Sequence, residues 1–312
     1  MCGLCGFLSY DTNPLKDINT LTNELMKSAS VRGTDAAGIA FNRNGNVLIS
    51  KEGKSAEKIE FKLPEAVKVL IGHTRHSTQG SEKKNYNNHP FYGRVKNNVF
   101  AFAHNGLLTN DVELRRKYKL PATKIETDSY APVQLLEKLG KLDATTIKKM
   151  AEAVEGSFSF SILDKTGNLY LVKGDSPLTL VHFPKEKLYV YASTDEILWK
   201  ALIETKLFRQ LKSGSFEVIN IEEGEIVNIS PKGKIKKTSF EFTYRFSLLT
   251  DWRYYGGWYT GDYEDNYISD LKTVASYMGI SPDEIDHLLQ EGFTPDEVEE
   301  YIYGYESMEV KT

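Results

Sequence analysis

The second residue of the chain is a cysteine, and this position offers a chemistry that an internal cysteine lacks. Aminopeptidases remove an initiator Met before a small residue, so we expect Cys2 to become the mature N-terminus. It would then carry a nucleophilic thiol and a free α-amine. Because an α-amine titrates near ~7.7–8.0, part of it is unprotonated at neutral pH and can accept the thiol proton. Cys2 is therefore a candidate nucleophile with its own general base, unless a cysteine stands at position 2 by chance.

Cys2 and Cys5 also form a C-x-x-C pair, which has two other interpretations. A redox pair normally follows a strand and opens a helix, and no strand is predicted ahead of Cys2. A structural zinc site needs two further ligands, and the chain has no second cysteine pair. We therefore expect neither a metal nor a cofactor, and we interpret Cys5 as a small core residue.

Three further positions carry groups that such a nucleophile would need. Arg75 offers a planar donor fork suited to a carboxylate, and Asp128 can accept hydrogen bonds from an ammonium group. Asn105 with Gly106 offers a side-chain amide and a backbone N–H, two donors able to hold a developing oxyanion. Singly, these positions are explained more simply as a salt bridge, a helix cap and a turn. Jointly they describe glutamine, an α-amino acid whose side chain ends in an amide carbonyl.

The elements that must position these groups follow from hydrophobic periodicity and turn residues. Strands are predicted at 4–10, 39–41, 47–50, 67–72, 99–103, 158–163, 169–173, 178–182 and 188–192, with two more within 217–229. Helices are predicted at 18–30, 111–118, 144–154 and 197–205, with another from the 126–129 cap to residue 139. Strand pairs alternating with helix pairs favour antiparallel sheets with helices outside. In this scheme the chemical groups lie in loops that follow strands or open helices.

Composition restricts the function classes. The net charge of −4 is mixed along the 312 residues, so no basic stripe predicts nucleic-acid binding. The sequence contains no apolar run of about 18 residues, which predicts no membrane span. It also lacks the pattern of a signal peptide. With two cysteines, we expect reduced thiols and a cytoplasmic location.

The character of the sequence changes after about residue 243. Residues 251–267 hold seven Trp and Tyr side chains among glycines and acids. The segments 280–286 and 293–299 each combine a Ser or Thr N-cap, a proline and first-turn acids, which predicts a two-helix hairpin. Its predicted apolar seam consists of Ile285, Leu288, Leu289, Val298 and Ile302. We predict a domain at 1–243 and an aromatic arm with a hairpin at 244–312. The arm either packs on that domain or docks a partner enzyme or second protomer; whether the chain forms a homo-oligomer stays open.

Six motifs, in order, resemble one family. They are Met1-Cys2-Gly3 with Gly6, residues 32–38 (RGTDAAG), 72–78 (GHTRHST), 88–91 (NHPF), 104–110 (HNGLLTN) and 126–129 (ETDS). In this order they resemble the class II, N-terminal-nucleophile glutamine amidotransferases, over roughly residues 2–240. The similarity is to the glutaminase domains of amidophosphoribosyltransferase and glucosamine-6-phosphate synthase.

The resemblance implies an α+β fold, a four-layer αββα sandwich, and hydrolysis of glutamine to glutamate and ammonia through a γ-glutamyl thioester. The implied roles are nucleophile for Cys2, oxyanion hole for Asn105 and Gly106, carboxylate binding for Arg75, and amine binding for Asp128. Thr78 is implied to hold the substrate through its backbone, and Arg32, Asp35 and His104 to support the site. The motif histidines His73, His89 and His104 are interpreted as structural. Two positions depart from the family pattern, His76 and Gln79, and both lie on the loop expected to close over glutamine.

No acceptor domain is recognisable, since an adenylation loop, a phosphoribosyl-binding acidic pair and a sugar-isomerase repeat are all missing. The leading hypothesis is a glutaminase that hands ammonia to a separate synthase or modifying enzyme. Two alternatives stay open. One is an amidohydrolase for another γ-glutamyl amide, and the other is a non-catalytic binding module of the same fold.

Overall fold

The computed structural model of the chain describes residues 2–13, 15, 17–64 and 67–242, together with 268, 272, 275, 280–293, 298 and 301. The chain divides into two units, residues 1–245 and residues 246–312. The domain boundary after residue 243 remains a prediction. Within the described residues, no helix is long and apolar enough to cross a membrane.

Thirteen strands and six α-helices lie in the described part of the first unit. The strands are β1 (Gly3–Ser9), β2 (Ala36–Arg43), β3 (Asn46–Glu52), β4 (Val69–Arg75), β5 (Phe91–Val95), β6 (Asn98–Leu108), β7 (Gly156–Asp164), β8 (Leu169–Lys173), β9 (Thr179–Phe183), β10 (Leu188–Ala192), β11 (Glu217–Ile219), β12 (Glu225–Ile229) and β13 (Ile235–Ser239). The helices are α1 (Ile18–Ala29), α2 (Asp111–Lys117), α3 (Tyr130–Leu139), α4 (Ala144–Ala151), α5 (Asp195–Ile203) and α6 (Phe208–Lys212).

The strands form two antiparallel sheets. The seven-stranded sheet has the order β11-β9-β10-β1-β4-β2-β3, and the six-stranded sheet has the order β13-β12-β8-β7-β6-β5. In the first sheet β1 is central, pairing Gly3 with Thr74 on one side and Cys5 with Ala192 on the other. The start of β1 therefore has a neighbouring strand on both sides.

Three apolar clusters separate four layers, which confirms the predicted αββα sandwich. One cluster lies between α1, α5 and the seven-stranded sheet, a second between the two sheets, and a third between the six-stranded sheet and α3 and α4. Along β1, Leu4 and Leu8 belong to the central cluster, while Cys5 and Phe7 belong to the helix-facing one. Successive strand residues point to opposite faces, so a strand buried on both faces reads as a continuous apolar run.

Several strands run further than predicted. β2 begins at Ala36, β4 extends to Arg75, and β6 continues through Asn105 and Gly106 to Leu108. The expectation that Arg75, Asn105 and Gly106 lie in loops was therefore wrong. Antiparallel ladders are held by backbone groups, so polar side chains can continue a strand that has a neighbour to pair with. β5, α6 and β13 were not predicted, and β11 and β12 belong to different sheets.

The second unit contains α7 (Pro282–Gln290), the first of the two predicted helices. Ser281 is its N-cap, since the side chain of Ser281 accepts a hydrogen bond from the Glu284 N–H at 3.2 Å. Ile285 packs there with Ala275, Ile280 and Val298. Apart from Phe293 and Val298, the second predicted helix lies outside the described residues, as do Ile302 and the aromatic segment 251–267.

Candidate active site

Cys2 lies at the entrance to the central strand β1. The start of this strand is fixed by Ser193, which accepts from the Leu4 N–H through its side chain and donates its own N–H to the Leu4 carbonyl, both at 2.8 Å. The half-buried Cys2 thiol lies 3.6 Å from the carbonyl oxygen of His76. Arg32 Nε donates to the Cys2 carbonyl at 2.9 Å. The backbone carbonyl and the thiol of Cys2 thus each have a hydrogen-bonding partner.

The Cys2 thiol is not ionised in advance. Burial raises its pKa, and the adjacent backbone of His76 and the positive charge of Arg75 only partly oppose this effect. A thiol with a raised pKa is protonated at neutral pH, so it needs a base to become a nucleophile. This is the protonation state in which an adjacent α-amine would be useful.

Asp35 holds the loop that faces the thiol. Its Oδ2 accepts from the Ser77 N–H at 2.7 Å, and its own N–H donates to the Arg75 carbonyl at 3.0 Å. The neighbouring Gly33 lies so close that an added Cβ would be 2.4 Å from the Arg75 carbonyl carbon. The motif at 32–38 therefore contacts both the cysteine and the loop after β4, and the supporting role of Arg32 and Asp35 in catalysis remains a prediction. Thr78 is exposed on this loop, and its role remains a prediction.

The Arg75 side chain turns back onto its own loop. Its guanidinium donates to Asn88 Oδ1 at 2.7 Å, to the Gly80 carbonyl at 2.6 Å and to the Gln79 carbonyl. These bonds use both Nη2 hydrogens and one Nη1 hydrogen, so the Nε–H and one Nη1–H remain of the five guanidinium N–H groups. Arg75 is only 3% exposed, so it is positioned by buried partners and is not the surface salt-bridge residue of the simpler interpretation.

Asp128 is not the cap of α3. Ser129 occupies the N-cap position, and no side-chain hydrogen bond caps this helix. Instead, Asp128 Oδ2 accepts from the Leu108 N–H at 2.7 Å, and Oδ1 lies 3.2 Å from the Ser129 hydroxyl. A carboxylate has about four acceptor sites, so both oxygens can still accept from a ligand. The bond to Leu108 places Asp128 beside the end of β6, where Asn105 and Gly106 lie.

Asn105 presents a buried donor. The residue is 1% exposed, and its Nδ2 has no hydrogen-bond partner among the described residues. The next residue, Gly106, has a φ of +136°, and a Cβ there would be 2.0 Å from the Ser157 carbonyl oxygen. A buried amide donor without a partner in the protein is uncommon, because most buried polar groups are hydrogen-bonded. Both features suit an oxyanion hole.

Three buried motif histidines connect the two sheets at this end. His73 on β4 faces Leu4 in register, and its Nε2 contacts the His104 carbonyl on β6 at 2.9 Å. The His73 and His89 rings lie 4.1 Å apart between centroids. Burial lowers the pKa of His73 to about 3 and that of His89 well below its ordinary value. These side chains are therefore neutral, which fits a structural role better than a catalytic one.

His104 joins strand β6 to Ser129, the residue next to Asp128. Its Nδ1 lies 2.8 Å from the Ser129 hydroxyl, and its Nε2 lies 3.3 Å from the Ser157 carbonyl, which must accept. Burial lowers the pKa of His104, against the opposing charge of Asp128. A neutral ring that donates through Nε2 accepts from Ser129 at Nδ1. That arrangement leaves Asp128 Oδ1 free for another donor.

Four residues that shape the site were not singled out as such from the sequence: Lys51, Asn88, Ser129 and, as a contact of Asp128, Gln79. Lys51 Nζ donates to the carbonyls of Asn88 and Pro90 and lies 5.1 Å from the Phe91 ring centroid. Burial and the charge of Arg75 lower the pKa of Lys51 to about 8. A lysine in an alternating strand gives no local signal of this contact, which depends on the pairing of Lys51 with Gly38.

The site brings together groups from separate elements. The Cys2 thiol lies within range of the charges of Arg75 and Asp128, and the hydrogen bond between His73 and His104 joins the strands that carry Arg75 and Asn105. In the ranges that the structure covers, no group of three or more His, Cys, Asp or Glu side chains could hold a metal ion. The arrangement combines a thiol, an unsatisfied amide donor, a guanidinium and a carboxylate.

Comparisons of sequence and of structure relate the chain to known proteins. Residues 73–200 match the family described as "Glutamine amidotransferase domain". The chain is 32% identical over 193 residues to the glutamine–fructose-6-phosphate aminotransferase (isomerizing) of Staphylococcus aureus, covering 58% of this chain and 30% of that protein. The enzyme of the same name from Staphylococcus epidermidis is 32% identical over 188 residues, with 57% and 30% covered. The chain thus spans about a third of the length of these relatives.

Among solved structures, the chain is similar to glutamine phosphoribosylpyrophosphate amidotransferase from B. subtilis. The TM-score is 0.61 at 22% identity, covering 78% of this chain and 50% of that one. This likeness concerns the fold. The TM-score supports a shared fold, and the sequence matches support a glutamine amidotransferase domain in this chain. The chain contains a class II glutamine amidotransferase domain, and such domains are enzymes.

Proposed function

We propose that this chain hydrolyses the side-chain amide of glutamine to glutamate and ammonia, with Cys2 as the nucleophile. The observation that carries the proposal is the unsatisfied Nδ2 of Asn105, buried beside Gly106 at positive φ. Buried polar groups are nearly always hydrogen-bonded, and exceptions point to a function for the group. A donor kept free in this way suits an oxygen that gains negative charge during the reaction.

The chemistry follows from the protonation states. Removal of Met1 frees the Cys2 α-amine, which takes the proton of the thiol while Sγ attacks the amide carbon. Asn105 Nδ2 and the Gly106 N–H stabilise the oxyanion of the tetrahedral intermediate. The protonated amine then donates to the leaving nitrogen, the C–N bond breaks, and ammonia departs. Water hydrolyses the γ-glutamyl thioester in the same way and restores the thiol.

The head of the substrate is recognised by two charged side chains. A remaining N–H group of Arg75 donates to the α-carboxylate, and Asp128 accepts from the α-ammonium group. Thr78 contributes through its backbone. Arg32, Asp35 and His104 hold Cys2, the loop after β4 and Ser129 beside Asp128 in place, as their hydrogen bonds support.

We further propose that the ammonia passes to a separate synthase or modifying enzyme. The chain is similar to part of much longer amidotransferases, and this similarity supports an acceptor of this kind. The aromatic segment 251–267 is a candidate docking element for it, because Tyr and Trp are enriched at interfaces. Deleting 244–312 should abolish capture of the acceptor while sparing glutamate release. Loss of turnover or solubility would instead assign the segment a packing role.

Glutamate release from glutamine is the direct test. Cys2→Ala should lower kcat by roughly 10³-fold or more, because no other group replaces the nucleophile. Cys5→Ala is the matched control, since Cys5 is buried against Met26 with 3.5 Å between their sulfur atoms. It should cost about 1 kcal/mol of stability and leave kcat unchanged. Unchanged turnover in Cys2→Ala, or an active protein whose intact mass retains Met1, would refute the mechanism.

A further inference from the structure

Gln79 contacts Arg75 and Asp128, the two residues proposed to bind the α-carboxylate and the α-ammonium group of the substrate. Its backbone carbonyl accepts from Arg75 Nη2, and its side-chain Oε1 accepts from the Asp128 N–H at 3.2 Å. One residue therefore joins the loop after β4 to the segment before α3.

The side-chain contact satisfies a buried backbone group. Asp128 is 3% exposed, whereas Gln79 is exposed and has no packing reason to place its amide there. Buried backbone N–H groups are almost always paired, so this contact has a defined role in the folded chain. Without it, the Asp128 N–H would lose the partner that Gln79 provides.

A second contact brings the same two segments together. Asn87 Nδ2 donates to Glu126 Oε2 at 2.8 Å, and the Glu126 N–H donates back to Asn87 Oδ1 at 3.0 Å. Gly80, at φ +70°, allows this approach, because a Cβ there would lie 2.8 Å from Asn87 Nδ2 and 3.0 Å from the Glu126 Cβ. The two segments are therefore built to pack closely, and Gln79 lies at the end nearer to Arg75 and Asp128.

From these contacts we propose that Gln79 is a positioning residue that fixes the spacing between Arg75 and Asp128. This inference rests on the proposed function. The two charged groups must match the separation of the carboxylate and the ammonium on one α-carbon, so their relative position determines how well an amino-acid head binds. Gln79 contributes to binding and not to the chemical step, because it contacts neither Cys2 nor Asn105 through any described hydrogen bond.

Gln79→Met tests this role, since methionine keeps the length of the side chain and removes the acceptor. Titration calorimetry with glutamate should show a Kd raised roughly three- to tenfold, the effect of one lost hydrogen bond. The KM for glutamine should rise by the same factor, with kcat within about twofold. Gln210→Met on α6 is the matched control, because its side chain donates to Glu186 Oε1 at 2.6 Å. It should leave Kd, KM and kcat unchanged.

An unchanged glutamate Kd in Gln79→Met would overturn the inference, as would a fall in kcat at constant KM. Thermal unfolding of both variants shows whether either change reflects lost structure. A different result would refute the proposed function. Wild-type protein that binds glutamate but releases none from glutamine would refute glutaminase activity, and the measured Kd values would still decide the role of Gln79.

Discussion

Arg32 Nε donates a hydrogen bond of 2.9 Å to the carbonyl oxygen of Cys2, across 30 residues of sequence. It holds the candidate nucleophile by its backbone while the thiol contacts the His76 carbonyl. Arg32→Met should lower kcat roughly ten- to a hundredfold with little change in KM, because small displacements of a reacting group are costly. Steady-state glutamate release measures this. Arg43→Met, at the exposed end of β2, is the control and should behave as wild type. A kcat unchanged by Arg32→Met would contradict the prediction.

Asn105→Leu should separate activity from stability. The substitution removes an oxyanion donor, so kcat should fall about 10²–10³-fold while KM changes little. It also removes a buried amide with an unsatisfied Nδ2, so the free energy of unfolding should stay constant or rise. Asn110→Leu is the matched control, because the Asn110 amide donates to the Ala153 carbonyl and accepts from the Glu155 N–H, each at 3.0 Å. That variant should lose about 1–3 kcal/mol of stability. Equal destabilisation of the two would count against a free donor at Asn105.

The free energy of unfolding of Gly106→Ala, measured by urea denaturation, should be at least about 3 kcal/mol lower than that of wild type. The backbone φ of +136° disfavours an L side chain, and the new Cβ would be 2.0 Å from the Ser157 carbonyl oxygen. Gly214→Ala is a milder control without a clash, since Gly214 has a φ of +63°, in the left-handed helical region, and a methyl group added there would meet nothing within 4 Å. It should cost about 1 kcal/mol. Similar losses in both proteins would show that the strand around Gly106 relaxes.

Acid should destabilise the fold through its buried histidines. Their pKa values are lowered in the folded chain, to about 3 for His73, so the unfolded state binds more protons between about pH 3 and 6.5. Stability therefore falls as pH drops below about 6.5. His89→Phe removes one such group, both of whose ring nitrogens have no partner in the described part of the chain. When the pH falls from 7 to 5, the His89→Phe variant should lose about 2 kcal/mol less unfolding free energy than the wild type loses. Parallel urea titrations at the two pH values give the comparison, and equal losses would exclude His89 as a contributor.

Much of the architecture could be predicted because its signals are local. Continuous apolar runs located the central strands, with β8 and β10 placed at their observed ends, and Ser281 with Pro282 marked the start of α7. β5 and β13 escaped prediction because both are five-residue edge strands that depend on a neighbour for pairing. The separation of β11 and β12 into two sheets has the same cause, since pairing partners lie far away in sequence.

The sequence by itself determined the class of protein, because Cys2, Arg75, Asn105 and Asp128 occur in ordered motifs whose residue types match the chemistry. Only the tertiary structure decided how these groups are held. It turned Asp128 from a helix cap into the partner of Leu108, and it placed Lys51 and Asn88 behind Arg75. It also left Asn105 without a partner in the described chain. Residue types specify which hydrogen bonds a side chain can make, but burial and long-range contacts select those it does make.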